Sequence, residues 1–196
     1  MAKMYVIAGC NGAGKTTASY TILPDMFSCK EFVNADEIAK RLSPSNPEVA
    51  AIHASRLLKA RVAELIEKSE DFGVETTLAT RTLVQVIKEA QNKGYLVTLI
   101  YFWLKLPQLA VERVKLRVAS GGHNVPEKTI LRRYDLSISH LISLYIPICD
   151  YWMIVDNSSA PSAMIAEGGK KIVTKLHNKT LYNRIVNYER TRSKTT

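Results

Sequence analysis

A glycine-rich segment near the start of the chain has the residue types and the spacing of a phosphate-binding loop. From position 9 it reads Gly-Cys-Asn-Gly-Ala-Gly-Lys-Thr, which fits the pattern G-x-x-x-x-G-K-[ST]. Its glycines let backbone N–H groups approach an anion, Lys15 supplies a charge for the β- and γ-phosphates, and the Thr16 hydroxyl is a ligand for Mg²⁺. The segment therefore predicts that the chain binds a nucleotide together with Mg²⁺.

The surroundings of this loop support the interpretation. Met4 to Ala8 is a short apolar run typical of a buried strand, and a helix is predicted to begin at Thr16, with its N-terminal dipole facing the phosphates. The alternative is a glycine-rich turn that fits the pattern by chance, and such a turn would not be expected to lie between a buried strand and a helix. The residues predicted to contact the nucleotide are Gly9, Asn11, Gly12, Ala13, Gly14, Lys15, Thr16, Thr17 and, after the last core strand, Asn157, with Thr16 as the metal ligand.

The rest of the chain alternates strand and helix patterns. Further strands are predicted over 31–33, 72–78, 95–103 and 151–155, with an edge hairpin over 164–173. Helices are predicted over 16–23 (stopped by Pro24), 47–69, 81–92, 107–120, 126–144 and 179–188, and the apolar stripe of the 47–69 helix is expected to be buried from Val49 and Ile52 onward. This alternation predicts an α/β fold, a three-layer sandwich with a mostly parallel sheet and helices on both faces. At 196 residues the chain is expected to form a single domain, with a hairpin and helix over 160–196.

Polar residues follow the predicted strands where an open α/β sheet binds its ligands. Asp36 lies just past the second strand, and either it or Asn34 could instead cap the following helix. Glu75 directly follows the apolar Val74, where an unpaired carboxylate would be costly to bury. Mg²⁺, a substrate hydroxyl or an arginine such as Arg81 would relieve that cost.

Two basic helices, within residues 107–144, are joined by a flexible segment, Gly121–Asn124. Arg113 and Arg117 are four residues apart on the first helix, and Arg132 and Arg133 lie on the second. This arrangement predicts a helical lid that closes over a phosphate, as small kinases need. The alternative is two solvated basic helix faces.

Composition narrows the classes of partner and compartment. The net charge of +9 favours an anionic partner, and nucleic acid is not expected because the chain has no RNA-recognition motif or extended arginine-rich run. Three widely spaced cysteines form neither a disulfide framework nor a metal-ligand pattern, which suits a reducing cytoplasm. No apolar stretch approaches the length of a membrane helix, so no membrane association is expected.

Several of these motifs together resemble the zeta-toxin family of P-loop kinases, in particular its short, stand-alone branch. The matching segments are Gly9 to Thr17, Val33-Asn34-Ala35-Asp36-Glu37-Ile38-Ala39, Glu75-Thr76-Thr77-Leu78, the run 121–127 (Gly-Gly-His-x-Val-Pro-Glu), Arg132-Arg133-Tyr134 and Asp156-Asn157-Ser158. The resemblance covers residues 4 to about 158. The Asn-Ala-Asp-x-Ile-Ala run after the second strand is more specific than the phosphate loop.

The resemblance implies an ATP- or GTP-dependent kinase that phosphorylates a sugar hydroxyl of UDP-N-acetylglucosamine or a related UDP-amino sugar. Asp36 becomes the base at the acceptor hydroxyl, Glu75 and Thr77 become substrate contacts, and Arg81 is added to them as a nearby cation. Founding members have a glycine where this chain has Thr76. The predicted catalytic residues are Lys15 and Asp36 together with two lid arginines, for which the resemblance gives no match. Arg117 and Arg133 are chosen from the basic helices, with Arg113 and Arg132 as alternates. An antitoxin protein would be a partner by the same resemblance, although kinase chemistry alone does not require one.

Two other functions remain open at this point. A small-molecule kinase acting on an antibiotic or a sugar would use the same scaffold. A nucleotide-dependent RNA-binding or switch protein is supported only by the positive charge.

Overall fold

The computed structural model describes residues 1–192, without the side chains of residues 21–23, 26 and 189–192. Residues 193–196, the end of the predicted domain, lie outside the described residues. The strands are β1 Lys3–Ala8, β2 Glu31–Val33, β3 Phe72–Thr76, β4 Leu96–Trp103, β5 Tyr151–Asp156, β6 Ala163–Gly169 and β7 Ile172–Leu176. The helices are α1 Lys15–Phe27, α2 Ala35–Leu42, α3 Ala51–Glu67, α4 Thr82–Asn92, α5 Pro107–Ala119, α6 Glu127–His140 and α7 Lys179–Arg192; a 3₁₀ turn, Pro47–Ala50, precedes α3, and a π-helical turn, Leu141–Tyr145, follows α6.

The seven strands form one sheet in the order β2-β3-β1-β4-β5-β6-β7. The first five are parallel, and β6 and β7 extend the sheet as an antiparallel hairpin. The connection from β1 to β2 crosses the sheet in the opposite direction to that from β3 to β4, so right-handed crossovers place α1 and α4 on opposite faces. The predicted α/β sandwich, its mostly parallel sheet and its edge hairpin are confirmed.

The two central strands explain where the ligand-binding edge lies. Residues Met4 to Ala8 of β1 are all buried, and β4 is buried from Leu99 to its end, as expected for strands covered on both faces. The register pairs Ile7 of β1 with Glu75 of β3, two residues before the glycine-rich loop begins. Glu75 is therefore brought to the same edge of the sheet as the phosphate loop.

Two expectations about helices are wrong in detail. Pro24 does not stop α1, which continues to Phe27; a proline this close to the end forfeits one backbone hydrogen bond, and the last turn still closes through Ser28 N donating to Pro24 O at 3.2 Å. The predicted stripe of the 47–69 helix is buried in its second half, at Val62, Leu65 and Ile66. Its first half is not: Val49 in the 3₁₀ turn and Ile52 and Leu57 in α3 are 72%, 73% and 40% exposed, and Ala54, which was not in the predicted stripe, is the buried residue there.

Among the described residues, no helix has both the length and the hydropathy needed to cross a membrane.

Candidate active site

The phosphate loop turns tightly between β1 and α1, and two of its glycines have positive φ values and atoms of other segments close by. Gly9 has φ +145°, and a Cβ there would lie 2.4 Å from the carbonyl oxygen of Phe102 in β4. Gly14 has φ +84°, and a Cβ there would lie 2.5 Å from Nδ2 of Asn157. These contacts leave room for glycine alone, so the loop is held against the ends of the central strands.

Asn157 holds this loop in place through a hydrogen bond to its backbone. Its Nδ2 donates to the carbonyl oxygen of Ala13 at 2.8 Å, and its backbone N–H donates to Trp103 O at 2.9 Å. The amide nitrogen is therefore used to brace the loop. The nucleotide contact expected of Asn157 stays a prediction.

Lys15 lies beneath the loop and is almost fully buried. Its Nζ donates to the carbonyl oxygen of Cys10 at 3.0 Å and lies 3.6 Å from Oε1 of Glu75. The two side chains are 6% and 9% exposed, so the ammonium and the carboxylate are removed from water together. A buried cation of this kind is stable only when it is paired and hydrogen-bonded, and both conditions are met.

The Glu75 side chain, at the end of β3, contacts side chains from α1 and from the segment before α2. Its Oε2 accepts from Thr16 Oγ1 at 2.8 Å and from Asn34 Nδ2 at 2.8 Å, while Lys15 lies at its other oxygen. These partners meet the cost of burying the carboxylate. Arg81, one of the alternatives considered for that role, instead lies exposed at the N-terminus of α4 and does not line the cleft described below.

The oxygen atoms of Thr16 and Glu75 have the chemistry that Mg²⁺ prefers. Mg²⁺ with a bound nucleotide is commonly held by one carboxylate, a hydroxyl, water and phosphate oxygens rather than by a protein cage. Among the described residues there is no group of three or more His, Cys, Asp or Glu side chains able to hold a metal ion. The Thr16 hydroxyl and the Glu75 carboxylate match the protein ligands of such a nucleotide-bound Mg²⁺. Thr17, predicted beside Thr16, is exposed on the first turn of α1.

The structure decides between Asn34 and Asp36 as the cap of α2. Asn34 Oδ1 accepts from the backbone N–H of Asp36 at 2.8 Å and from that of Glu37 at 3.4 Å, with the extended backbone of an N-cap residue. The Asp36 carboxylate is thus not the capping group. It is exposed at the first turn of α2, where it lines the cleft beside the phosphate loop.

That cleft lies between α2, α3, α6 and the loop that joins β3 to α4. Near the phosphate loop it is lined by Lys15, Asp36, Glu75 and Arg133, and its walls include Thr77, Thr80, Thr82, Ser55, Lys59 and several aliphatic side chains. The cleft therefore brings Thr77 to the same cavity as Lys15, Asp36 and Glu75. Sequence reasoning missed Ser55 and Lys59, although their spacing of four residues on a helix was a signal that they share a face.

Arg133 connects α6, one of the two helices predicted to form a lid, to this site. Its Nη1 donates to Oδ1 of Asn11 in the phosphate loop at 3.2 Å. Burial lowers the pKa of the Arg133 guanidinium from its ordinary value, while the nearby Asp36 carboxylate opposes that shift. An arginine stays charged through such a shift, so Arg133 presents a partly desolvated cation between the phosphate loop and Asp36.

The two arginines of α5 that were candidates for the lid contact different parts of the chain, and a catalytic role for either stays a prediction. Arg117 Nη2 donates to the carbonyl oxygen of His123 at 2.7 Å, which ties the flexible segment to α5. Arg113, the alternate, donates to Gly12 O at 3.5 Å and to Ser158 O at 3.1 Å, beside the phosphate loop. Arg132, the alternate to Arg133, is exposed.

The sequence is similar to a known protein family and to a known bacterial protein. The sequence model of the zeta toxin family matches residues 2–141. An uncharacterized protein of Haemophilus influenzae (strain Rd) is 30% identical over 132 residues, which cover 67% of this chain and 92% of that protein.

Solved structures with the same fold include the AvrRxo1-ORF1:AvrRxo1-ORF2 complex with sulphate ions, with a TM-score of 0.76 at 16% identity. That match covers 94% of this chain and 63% of the AvrRxo1 chain, so the present chain spans less than two thirds of that relative's length. A structure of the same complex contains ATP and has a TM-score of 0.74. The PezAT chromosomal toxin-antitoxin system of Streptococcus pneumoniae has a TM-score of 0.64 at 15% identity, covering 100% of this chain and 87% of that chain.

Proposed function

Because this chain belongs to the zeta toxin family of P-loop kinases, we propose that it phosphorylates a hydroxyl of a UDP-amino sugar such as UDP-N-acetylglucosamine. ATP or GTP is the phosphate donor, and Mg²⁺ accompanies it. The phosphate loop holds the donor. The cleft between α2, α3, α6 and the β3–α4 loop, hereafter the acceptor cleft, holds the sugar nucleotide.

The observation that carries the proposal is the position of the Asp36 carboxylate. It lies in the acceptor cleft together with Lys15 and Glu75, and the capping duty at the start of α2 belongs to Asn34. An exposed carboxylate beside a phosphate loop is placed to accept a proton from a hydroxyl that attacks a phosphoryl group. This separation of capping from catalysis supports Asp36 as the base.

On the donor side, Lys15 and the backbone N–H groups of the loop would hold the β- and γ-phosphates. Thr16 and Glu75 would hold Mg²⁺, which would offset the negative charge of the phosphates. Glu75 is thus assigned to the donor side rather than to the sugar. Thr77, with the other threonines of the cleft wall, is assigned to the acceptor.

The transfer itself needs a single in-line displacement. The sugar hydroxyl oxygen forms a bond to the γ-phosphorus, the bond from that phosphorus to the bridging oxygen breaks, and ADP or GDP leaves with the electron pair. The hydroxyl proton passes to the Asp36 carboxylate. Arg133, between the loop and Asp36, and Arg113, beside Gly12, stabilise the charge on the transferred group.

Two further features of the family belong to this proposal. We expect the enzyme to act in the cytoplasm, where both the donor nucleotide and the sugar nucleotide are available. The PezAT structure is described as a toxin-antitoxin system. An antitoxin protein is accordingly proposed as a partner of this chain as well.

Transfer of label from [γ-³²P]ATP tests the proposal directly. The protein is incubated with Mg²⁺ and, separately, UDP-N-acetylglucosamine, N-acetylglucosamine, UDP and gluconate, and Lys15→Ala serves as the inactive control. We expect label on UDP-N-acetylglucosamine alone. Label on gluconate or on the free sugar would instead favour the small-molecule kinase, and no label on any acceptor would contradict the proposed acceptor class.

A further inference from the structure

The loop that joins β3 to α4 has an unusual backbone conformation. Leu78 has φ +54°, a left-handed value that a leucine adopts only at a cost, and its side chain is fully buried. The flanking Thr77 and Thr80 line the acceptor cleft. The surrounding structure must hold this loop in place, because an isolated chain would not choose this conformation.

Two side chains from the end of α6 and the turn after it hold the loop by its carbonyl groups. His140 Nδ1 lies 2.6 Å from the carbonyl oxygen of Leu78. Since a carbonyl oxygen only accepts, Nδ1 carries the proton and donates. Tyr145, whose side chain is completely buried, donates its hydroxyl to the carbonyl oxygen of Thr80 at 2.7 Å.

The π-helical turn explains how both side chains reach the same loop. In an α-helix, residues five positions apart point about 140° away from each other, because each residue rotates by about 100°. Here the helix widens after His140, and the backbone N–H of Ile146 donates to the carbonyl oxygen of Leu141 at 2.9 Å, five residues back. This wider turn brings His140 and Tyr145 to one side, and turns of this kind are frequent at functional sites.

The same helix also contacts the donor side. Arg133 lies two turns before His140 on α6, so the two residues share a face of the helix. Arg133 contacts Asn11 of the phosphate loop, and His140 contacts the β3–α4 loop. One continuous element therefore touches both the loop that would bind the donor and the loop that lines the acceptor cleft.

We propose that His140 and Tyr145 are positioning residues that hold the β3–α4 loop, so that its threonines face the acceptor at a fixed distance from the phosphate loop. They touch neither substrate and act through the carbonyl groups of Leu78 and Thr80. The assignment rests on the proposed function, because it takes the cleft as the acceptor site. It extends that function by naming what fixes the geometry between the two substrates.

Tyr145→Phe tests this role because it removes one hydroxyl and keeps the ring. We expect KM for UDP-N-acetylglucosamine to rise roughly 3- to 10-fold, as the loss of one hydrogen bond implies, with the Kd for ATP unchanged. Ser143→Ala is the matched control, because Ser143 is exposed in the same π turn and its hydroxyl donates within the helix to Ser139 O. A Tyr145→Phe enzyme with an unchanged acceptor KM would overturn the proposal.

His140 offers a rescue experiment that a purely structural role would not satisfy. In His140→Asn the side-chain amide replaces the Nδ1 donor, whereas His140→Leu removes the donor and keeps an apolar side chain of similar reach. We expect His140→Leu to raise the acceptor KM and His140→Asn to restore it toward the wild-type value. Equal KM in the two variants would contradict a role for the hydrogen bond to Leu78.

Hydrogen exchange separates failure of this inference from failure of the proposed function. If the acceptor is not a UDP-amino sugar, even the wild-type protein transfers no label to UDP-N-acetylglucosamine. Hydrogen exchange of the β3–α4 loop can still be measured in that case. We expect the backbone amides of Leu78 and Ala79 to exchange at least about 5-fold faster in Tyr145→Phe and His140→Leu than in Ser143→Ala. Unchanged exchange in both variants would show that these side chains do not hold the loop.

Discussion

The phosphate loop and the acceptor cleft lie side by side but are built in different ways. The loop comes from one continuous stretch, and several of its contacts are made to backbone groups, such as Cys10 O for the Lys15 ammonium and Phe102 O opposite Gly9. The cleft takes side chains from α2, α3, α6 and the β3–α4 loop. A site made of consecutive residues is specified locally, whereas a site assembled from distant elements depends on how those elements pack.

Substitution of Lys15 is the sharpest test of the phosphate loop as the site of the phosphate donor. In Lys15→Ala the phosphates lose their nearest cation, and we expect kcat/KM to fall at least about 100-fold, as when other charge-stabilising groups are removed. The measurement is transfer of label from ATP, with Lys40→Ala, an exposed lysine on α2, as the control. A folded Lys15→Ala protein with near-normal turnover would contradict the phosphate-loop assignment.

This contrast explains what could be predicted from the sequence. The strand before the phosphate loop, the loop itself and the helix after it follow from local residue types, and the structure has all three. The arginines near the phosphate loop were predicted less completely, because spacing alone does not distinguish Arg113 from Arg117. Only the packing of α5 decides that Arg113 faces Gly12.

Two other differences between the predicted and the observed structure concern helix phase in α3 and the side-chain cap of α2. Ile52 was expected to be buried, but Ala54 is the buried residue in that part of α3. Apolar residues on more than one face of the first half of this helix leave its phase undecided in the sequence pattern. Asn34 and Asp36 were equal candidates for the cap of α2 until the side-chain contacts were known. Each alternative differed by a rotation of the helix or of one side chain, which residue types alone do not fix.

Substitution of Arg133 tests whether this arginine of α6 contributes to phosphoryl transfer between the phosphate loop and the acceptor cleft. Because it contacts Asn11 and is partly desolvated near Asp36, Arg133→Ala is expected to lower kcat about 10-fold or more while changing KM for ATP less. Arg132→Ala is the matched control, since Arg132 is the adjacent residue on α6 and its own side chain is exposed. Equal activity of the two variants would place Arg133 outside the transfer step.

Arg117 should have a smaller effect of a different kind. Its hydrogen bond to His123 O holds the segment between α5 and α6, so Arg117→Ala is expected to lower Tm by a few degrees, as loss of about 1 kcal/mol does. We expect kcat to change by less than about 3-fold. A loss of kcat as large as that of Arg133→Ala would return Arg117 to the phosphate site.

Cys10 is expected to give the smallest effect, although it lies within the phosphate loop. Burial raises the pKa of its thiol to about 11, so the thiol is protonated below that pH and only a very small fraction is the reactive thiolate at pH 7.5. N-ethylmaleimide at pH 7.5 should therefore leave both Cys10 and the kinase activity intact, as measured by mass spectrometry and label transfer. Rapid modification of Cys10 would mean that the loop opens far more than its contacts indicate.

The central claim is that Asp36 receives the proton of the acceptor hydroxyl, and Asp36→Asn tests it most directly. The substitution keeps the shape of the side chain, and the cap on α2 belongs to Asn34, so fold and ATP affinity should persist. Glu37→Gln is the matched control, because it removes a carboxylate from the same turn, where Glu37 accepts a hydrogen bond from the Tyr20 hydroxyl. Melting temperature, Kd for ATP and kcat are measured on both variants. We predict that kcat falls about 100-fold or more in Asp36→Asn alone; a stable Asp36→Asn protein with near-normal kcat would contradict the account.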